Sequence, residues 1–241
     1  MPQREDIRLH CEELNRCNQR GGRLLSLVDL YKAKTMPLEL AAFLLVKVSR
    51  GDSFVTGAVP GGAGKTTVMC ALANAIPEGT PILHAANING MLDGERGPAS
   101  CYICHEMSEG GYFGYLWGEE LRAYFNLKRY GHILASNLHA DTLDQAKLTI
   151  TKQNKVTEEA FNAVNIYVFI TPGITREIKS AWYSPGDGME HSSVYAAGKF
   201  NAGRFIEKKE HAMYMEFIKD CAEKNVVSIE DFRAELLEFR E

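Results

Sequence analysis

The stretch Phe54-Val55-Thr56-Gly57-Ala58-Val59-Pro60-Gly61-Gly62-Ala63-Gly64-Lys65-Thr66-Thr67 decides the reading of the chain. A short β-branched and apolar run enters a glycine-rich turn, which opens onto Lys65 to Ala75 with apolar residues at helical spacing. Strand, glycine loop and helix in that order are the context a Walker A loop requires. Glycines let the backbone curl so that successive N–H groups point at phosphate oxygens, and the helix N-terminus adds the positive end of its dipole. Lys65 is expected to reach the β and γ phosphates and Thr66 to bind Mg²⁺ through its hydroxyl, with Gly61, Gly62, Ala63, Gly64 and Thr67 completing the cradle. The full pattern has a glycine where this chain has Val59, followed by Pro60, and Gly57 and Gly61 are expected to relieve the turn instead. A strand-to-helix turn with an incidental lysine is the bland alternative.

Around this loop, apolar runs alternate with helical stretches, the signal of βαβ units and a mostly parallel sheet. Strands are expected at 53–59, 81–86, 101–105, 133–138, 166–170 and 177–183, and helices at 65–75, 118–129, 143–151 and 157–164. Before them, residues 4–19 suit a short helix, Ser26 and Asp29 have capping spacing for 26–34, and Pro37 opens an apolar helix reaching Val46. Past Gly203 the chain turns charged and helical, with Ser228 and Asp231 spaced to cap a last helix over 229–239. The expected organisation is a helical lead-in over 1–50, a nucleotide-binding core over 51–203 and a C-terminal helical segment over 204–241.

The chain has 241 residues, 45% hydrophobic and 24% charged, enough to bury a sizeable core, and a net charge of −4 that argues against broad nucleic-acid binding. Its longest apolar run, about Leu40 to Val46, is far short of the ~20 residues that span a bilayer. A charged N-terminus without a following apolar stretch is no signal peptide, so a cytoplasmic protein with six reduced cysteines is expected.

Two further segments carry candidate chemistry. Ala99 to Glu106 reads as a buried strand whose C-terminal end presents Glu106, where ligands bind in a parallel sheet. A carboxylate there orients an attacking water or holds Mg²⁺ through water; the alternative is a helix cap. The same strand contains Cys101-x-x-Cys104-His105, the haem c attachment pattern, which a central strand position makes two buried thiols instead. Zinc is disfavoured because no second pair of cysteines or histidines stands at ligand spacing. Gly131 to Asp141 is a second strand ending in a polar tip, with His139 placed to meet the γ phosphate if its strand neighbours the loop, or else to serve as an ordinary hydrogen-bonded histidine.

Together these pieces resemble the secretion-superfamily ATPases, the RecA-like motors of type II and type IV secretion and of type IV pili. The resemblance runs from Leu25-Ser-Leu-Val-Asp-Leu30 and Met36 to Leu44 through Gly64-Lys65-Thr66-Thr67 to His105-Glu106 in the Walker B position. It continues through Tyr130-Gly-His132 to Leu138-His139-Ala140, similar to the family's histidine box, and Asn165 to Ile170 with Arg176-Glu-Ile178. It implies a RecA-like α/β fold, ATP and Mg²⁺ as cofactors, Lys65 and Thr66 on phosphate and Mg²⁺, Glu106 assisting hydrolysis and His139 on the γ phosphate side, with His132 a weaker, structural carry-over. It also implies a cytoplasmic homo-oligomer, a hexamer in the family, with a protein partner in a membrane complex. Arg96, Arg122, Arg129 and Arg176 are the candidates to complete a neighbour's site. The chain departs from the family at Ile82-Leu-His-Ala-Ala-Asn87, which lacks the usual acids, and in the short, arginine-poor stretch up to Cys101.

The leading expectation is an ATP-hydrolysing P-loop protein whose closure on nucleotide moves a partner. The alternative is a non-hydrolysing module in which ATP gates a complex. A small-molecule kinase is a third class, poorly served by the arginine-poor segment from Asn87 to Ser100.

Overall fold

A computed structural model describes residues 4–18, 21–59, 61–171, 173 and 176–240. Three helices lead in: α1 (Arg4–Asn15), α2 (Leu27–Lys32) and α3 (Leu38–Ser49). The alternating part follows as β1 (Phe54–Gly57), α4 (Lys65–Ala73), β2 (Ile82–His84), α5 (Ile88–Gly94), β3 (Cys101–Met107) and β4 (Tyr115–Leu116), then α6 (Gly118–Asn126), β5 (Ile133–Leu138), α7 (Leu143–Lys147), α8 (Glu158–Ala163) and β6 (Ile166–Thr171). It ends in β7 (Glu177–Tyr183), β8 (Ser192–Ala196), β9 (Lys199–Phe200), α9 (Lys208–Glu223) and α10 (Ile229–Arg240). No described helix is long and apolar enough to cross a membrane.

The described strands form one sheet in the order β2-β3-β5-β1-β6-β7-β8-β9, with β4 beside β3. Pairing is parallel from β2 to β6 and antiparallel from β6 to β9. The protein is therefore mixed α/β with a mostly parallel sheet flanked by helices. Both sheet faces are covered, which explains why β1, β3 and β5 are buried throughout and read as continuous apolar runs rather than alternating ones. One apolar cluster joins α1, α3, α4, α9 and α10 to one set of sheet side chains, and a second gathers α6, α7 and α8 with Tyr102, Leu134 and Tyr167.

Local chemistry sets the helix ends. Ser26 accepts from the Asp29 amide while Asp29 accepts from the Ser26 amide, a reciprocal capping box that starts α2. Ser228 accepts from the Asp231 amide at 3.0 Å at the head of α10. The expected helix over 143–151 is α7 followed by a π-turn at Leu148–Gln153, which Asn154 terminates by donating to the Thr149 carbonyl at 2.9 Å.

His10 on α1 carries a consequence for acid stability. Burial, with Arg233 adding to it, pushes its imidazole down from 6.5 to about 3, and Nε2 has no hydrogen-bond partner among the described residues. Between those values the unfolded chain holds a proton that the folded chain does not, so stability falls as pH drops from about 6.5 towards 3, by at most about 4 kcal/mol. His10→Leu is expected to flatten the fall in melting temperature between pH 7 and pH 4; an unchanged slope would place the acid sensitivity elsewhere.

Candidate nucleotide site

All strands from β2 to β6 run in one direction, so the residues after β1, β3 and β5 emerge on one edge of the sheet. There Gly61 to Gly64, the end of β3 and His139 meet around a cavity of about 480 Å³. That volume suits a nucleotide-sized ligand. It is lined by Gly61 to Thr67, by Glu106, Tyr115, Asn137, His139 and Arg176, and by Arg23 to Leu25.

The loop's backbone comes from glycines at defined places. Gly62 (φ +84°) and Gly64 (φ +100°) are left-handed, and Gly64 caps α4 so that its first amides open towards the cavity. The expectation that Gly57 and Gly61 relieve the turn is not met: neither has positive φ, and a Cβ on Gly61 would meet nothing. Gly57 serves close packing instead, since a Cβ there would stand 2.6 Å from the Ala140 carbonyl oxygen and from the Phe169 ring. Pro60 lies outside the described residues.

Lys65, the first residue of α4, is buried, and its Nζ lies 3.4 Å from Glu106 Oε2 and 3.2 Å from the Ala58 carbonyl. His139 Nε2 stands 3.6 Å from the same Glu106 oxygen. His139 Nδ1 is 2.9 Å from the Val59 carbonyl and 3.3 Å from Lys65 Nζ. A carbonyl only accepts, so the shorter contact puts the proton on Nδ1 and leaves the lysine as a close cationic neighbour rather than a donor to it. Lys65, Glu106 and His139, 74 positions apart at the extremes, thus form one cluster.

A register shift explains how Glu106 gets there. β3 pairs with β5 regularly up to Cys104, and the ladder slips between Cys104 and Met107. The bulge releases Glu106 from the flat pleat and re-aims its side chain, while β4 pairs with the strand end through Tyr115. Glu106 is buried, and desolvation raises its carboxyl above the usual range despite the opposing pull of Lys65 and His139. Its Oε1 has no hydrogen-bond partner among the described residues. An unsatisfied buried carboxylate oxygen costs about 1–3 kcal/mol, which a bound water or ion would relieve.

Sequence reading did not single out Asn137. Its Oδ1 accepts from Thr56 Oγ1 at 2.6 Å, and its Nδ2 donates to the His105 carbonyl at 2.8 Å and to Thr66 Oγ1 at 3.3 Å. It ties β1, β3, β5 and α4 together, and by occupying one lone pair of the Thr66 hydroxyl it orients the other for a cation. Its one legible signal is a buried amide just before the polar strand tip. Arg176 borders its own chain's loop, its Cδ 3.3 Å from where a Cβ on Gly64 would sit. Arg122 donates to the Asn154 carbonyl at 3.1 Å. His132 is a buried structural residue, accepting from the Ser100 amide at Nδ1 and donating from Nε2 to the Gly94 carbonyl. All six cysteines are free and buried, Cys101 and Cys104 within β3.

The cavity therefore presents amides, Lys65, Arg23 and Arg176 to a polyanion, with a single carboxylate, Glu106, among its described lining residues. The residues fit both a nucleotide and a metal ion: a glycine cradle for phosphates, an oriented Thr66 hydroxyl and a carboxylate oxygen without a partner among the described residues.

Among the solved structures that the chain resembles are two ATPases. One is the VirB11 ATPase of the Brucella suis type IV secretion system, solved with sulphate, at 18% identity and TM-score 0.48, matching 66% of this chain and 55% of that one. The other is the Legionella pneumophila ATPase DotB, at 10% identity and TM-score 0.45, matching 91% of this chain and 63% of that one. The chain thus spans little more than half to under two thirds of each. No protein-family model and no curated protein matches it.

Proposed function

We propose that the chain binds ATP with Mg²⁺ and hydrolyses it. The observation that carries this reading is the convergence of buried Lys65, at the head of the phosphate-loop helix, with Glu106, a desolvated carboxylate bearing an unpartnered oxygen. Lys65 would hold the β and γ phosphates, Thr66 the Mg²⁺, and His139 the γ phosphate side. Glu106 would orient a water and take up its proton. Mg²⁺ supplies neutralisation of phosphate charge when bound. A raised carboxyl pKa is suited to general-base work near neutral pH.

Coupling of closure to movement of a partner, assembly as a homo-oligomer (a hexamer in the family), a cytoplasmic location and a membrane-complex partner are supported by the residue resemblance between Leu25 and Ile178. A second reading, an ATP-gated module without turnover, is favoured by one observation: Glu106 is the lone described carboxylate in the cavity and is already paired with Lys65.

Mg²⁺-dependent phosphate release by the purified protein, measured beside ATP affinity, separates the two. Lys65→Ala is expected to weaken ATP binding about 10–100-fold, the worth of a charge-assisted contact of about 1.5–3 kcal/mol. Equal affinity in the variant would remove Lys65 from the phosphate site, and binding without turnover in the wild type would favour the gating module.

A further inference from the structure

Beside the nucleotide cavity three ligand-type side chains meet that no stretch of sequence holds together. Cys17, just beyond α1, His84 at the end of β2 and His105 in β3 each bring one donor atom within 4.8 Å of the other two. His84 Nδ1 lies 2.9 Å from His105 Nε2, and Cys17 Sγ lies 3.8 Å from that same nitrogen. We propose that Cys17, His84 and His105 form a site for one transition-metal ion of the zinc class, clamping the end of α1 onto the two sheet strands.

Around tetrahedral zinc, with bonds of about 2.0–2.1 Å to nitrogen and 2.3 Å to sulfur, neighbouring donors stand about 3.3–3.6 Å apart. The 2.9 Å nitrogen pair would open and the 3.8 Å sulfur–nitrogen pair close by a few tenths of an ångström, and the third pair starts within 4.8 Å. His84 is in the ligating form, and the proton that His105 Nε2 directs at His84 Nδ1 would be released on metal binding. His84 Nε2 faces the Glu13 carbonyl oxygen at 3.2 Å and the Glu13 carboxylate at 3.4 Å, both acceptors, so the proton sits on Nε2 and Nδ1 turns its lone pair to the cluster. Histidine ligands to metals are oriented by this kind of outer partner.

Cys17 and His105 also line the nucleotide cavity, which leaves one side of the cluster open to it. Cys17 and His105 are buried, the His84 side chain is 4% exposed, and the Phe113 ring packs against both imidazoles. Gly114 (φ +74°) passes so close over His105 that a Cβ would stand 2.8 Å from its ring. One thiolate and two imidazoles select zinc-class ions over Mg²⁺ and Ca²⁺, which take oxygen ligands. The fourth position falls to water, as in sites with three protein ligands. His105 directly precedes Glu106, so the ion would also fix the strand end that carries the carboxylate.

Full-length protein stripped with a chelator and titrated with Co²⁺ tests the site by absorbance. One equivalent is expected to give a thiolate-to-cobalt charge-transfer band with tetrahedral visible bands, both bleached by Zn²⁺ and unaffected by Mg²⁺. Cys17→Ser is expected to lose the charge-transfer band and His84→Ala to weaken Co²⁺ binding at least about tenfold, while Cys221→Ser, on α9, keeps the wild-type spectrum, with circular dichroism reporting that each variant is folded. No thiolate band in the wild type, or a band that survives in folded Cys17→Ser, would overturn the proposal. The wild-type titration decides even where a variant fails to fold.

Discussion

Glu106→Gln is expected to cut ATP turnover about 10²–10⁴-fold while ATP affinity stays within about threefold of wild type or tightens, because general-base catalysis is worth about that factor and little else changes. Glutamine keeps the shape, and its amide oxygen can still accept from Lys65 at the present 3.4 Å separation. What is lost is a group able to take up a proton. Removing a negative charge beside the phosphate loop does not weaken a polyanion, which accounts for the expected direction of the affinity. The pH profile adds a second readout. Desolvation holds the Glu106 carboxyl above its usual range, and Lys65 and His139 oppose the shift. Nucleotide that draws the Lys65 ammonium towards its phosphates weakens the larger of those two opposing influences. The acid limb of wild-type kcat is therefore expected above the ordinary carboxylate range, and what turnover remains in Glu106→Gln is expected to lack it. Steady-state phosphate release and nucleotide binding on the same samples check both. Unchanged turnover in the variant would exclude Glu106 as the base.

What was legible beforehand divides along contact range. β5 and β7 follow the expected bounds residue for residue, and α4 begins at Lys65 as read, because local apolar runs and turn residues specify them. No sequence signal marks α5, which contains two glycines in seven residues and starts from an Asn87 cap on the Gly90 amide. β8 and β9 are not marked either, since Ser192 to Ala196 is a weak strand pattern that gains its pairing from β7. Propensity there is overridden by the neighbour. At the site, Lys65 at the head of α4 and Glu106 and His139 at strand ends occupy positions that linear motifs announce. Asn137 acts through bonds to Thr56, His105 and Thr66, and no spacing rule relates those positions. The proposed zinc-class site has the same character, since sequence spacing alone disfavours zinc. Cys17, His84 and His105 are 67 and 21 positions apart and meet only through the packing of α1 beside β2 and β3.

Arg233→Leu is expected to destabilise the protein by about 2–4 kcal/mol, the largest effect foreseen for a residue outside the cavity, because it breaks two charge-assisted bonds and leaves their acceptors buried. Arg233 on α10 is 3% exposed, and its Nη1 donates to the Asn74 and Ile76 carbonyls at 2.7 and 2.6 Å. These carbonyls close the C-terminal end of α4, where the helix dipole is negative and a cation is favoured. Burial lowers the guanidinium to about 10, still charged at neutral pH. Asn74 completes the clasp, its Nδ2 donating to the Ile229 carbonyl at 2.9 Å and its Oδ1 facing Cys11 Sγ at 3.8 Å, so α1, α4 and α10 share one polar knot in an apolar setting. Leucine fills part of the volume but cannot satisfy either carbonyl. α4 is the helix whose other end holds the phosphate loop, so a loosened C-terminal end should also weaken ATP binding, by less than Lys65→Ala does. Urea unfolding of wild type and variant measures the first effect, and a lower midpoint with an unchanged slope is the expected outcome. A change below about 1 kcal/mol would mean that water or a neighbouring group takes over both carbonyls, and that the clasp does not anchor the phosphate-loop helix.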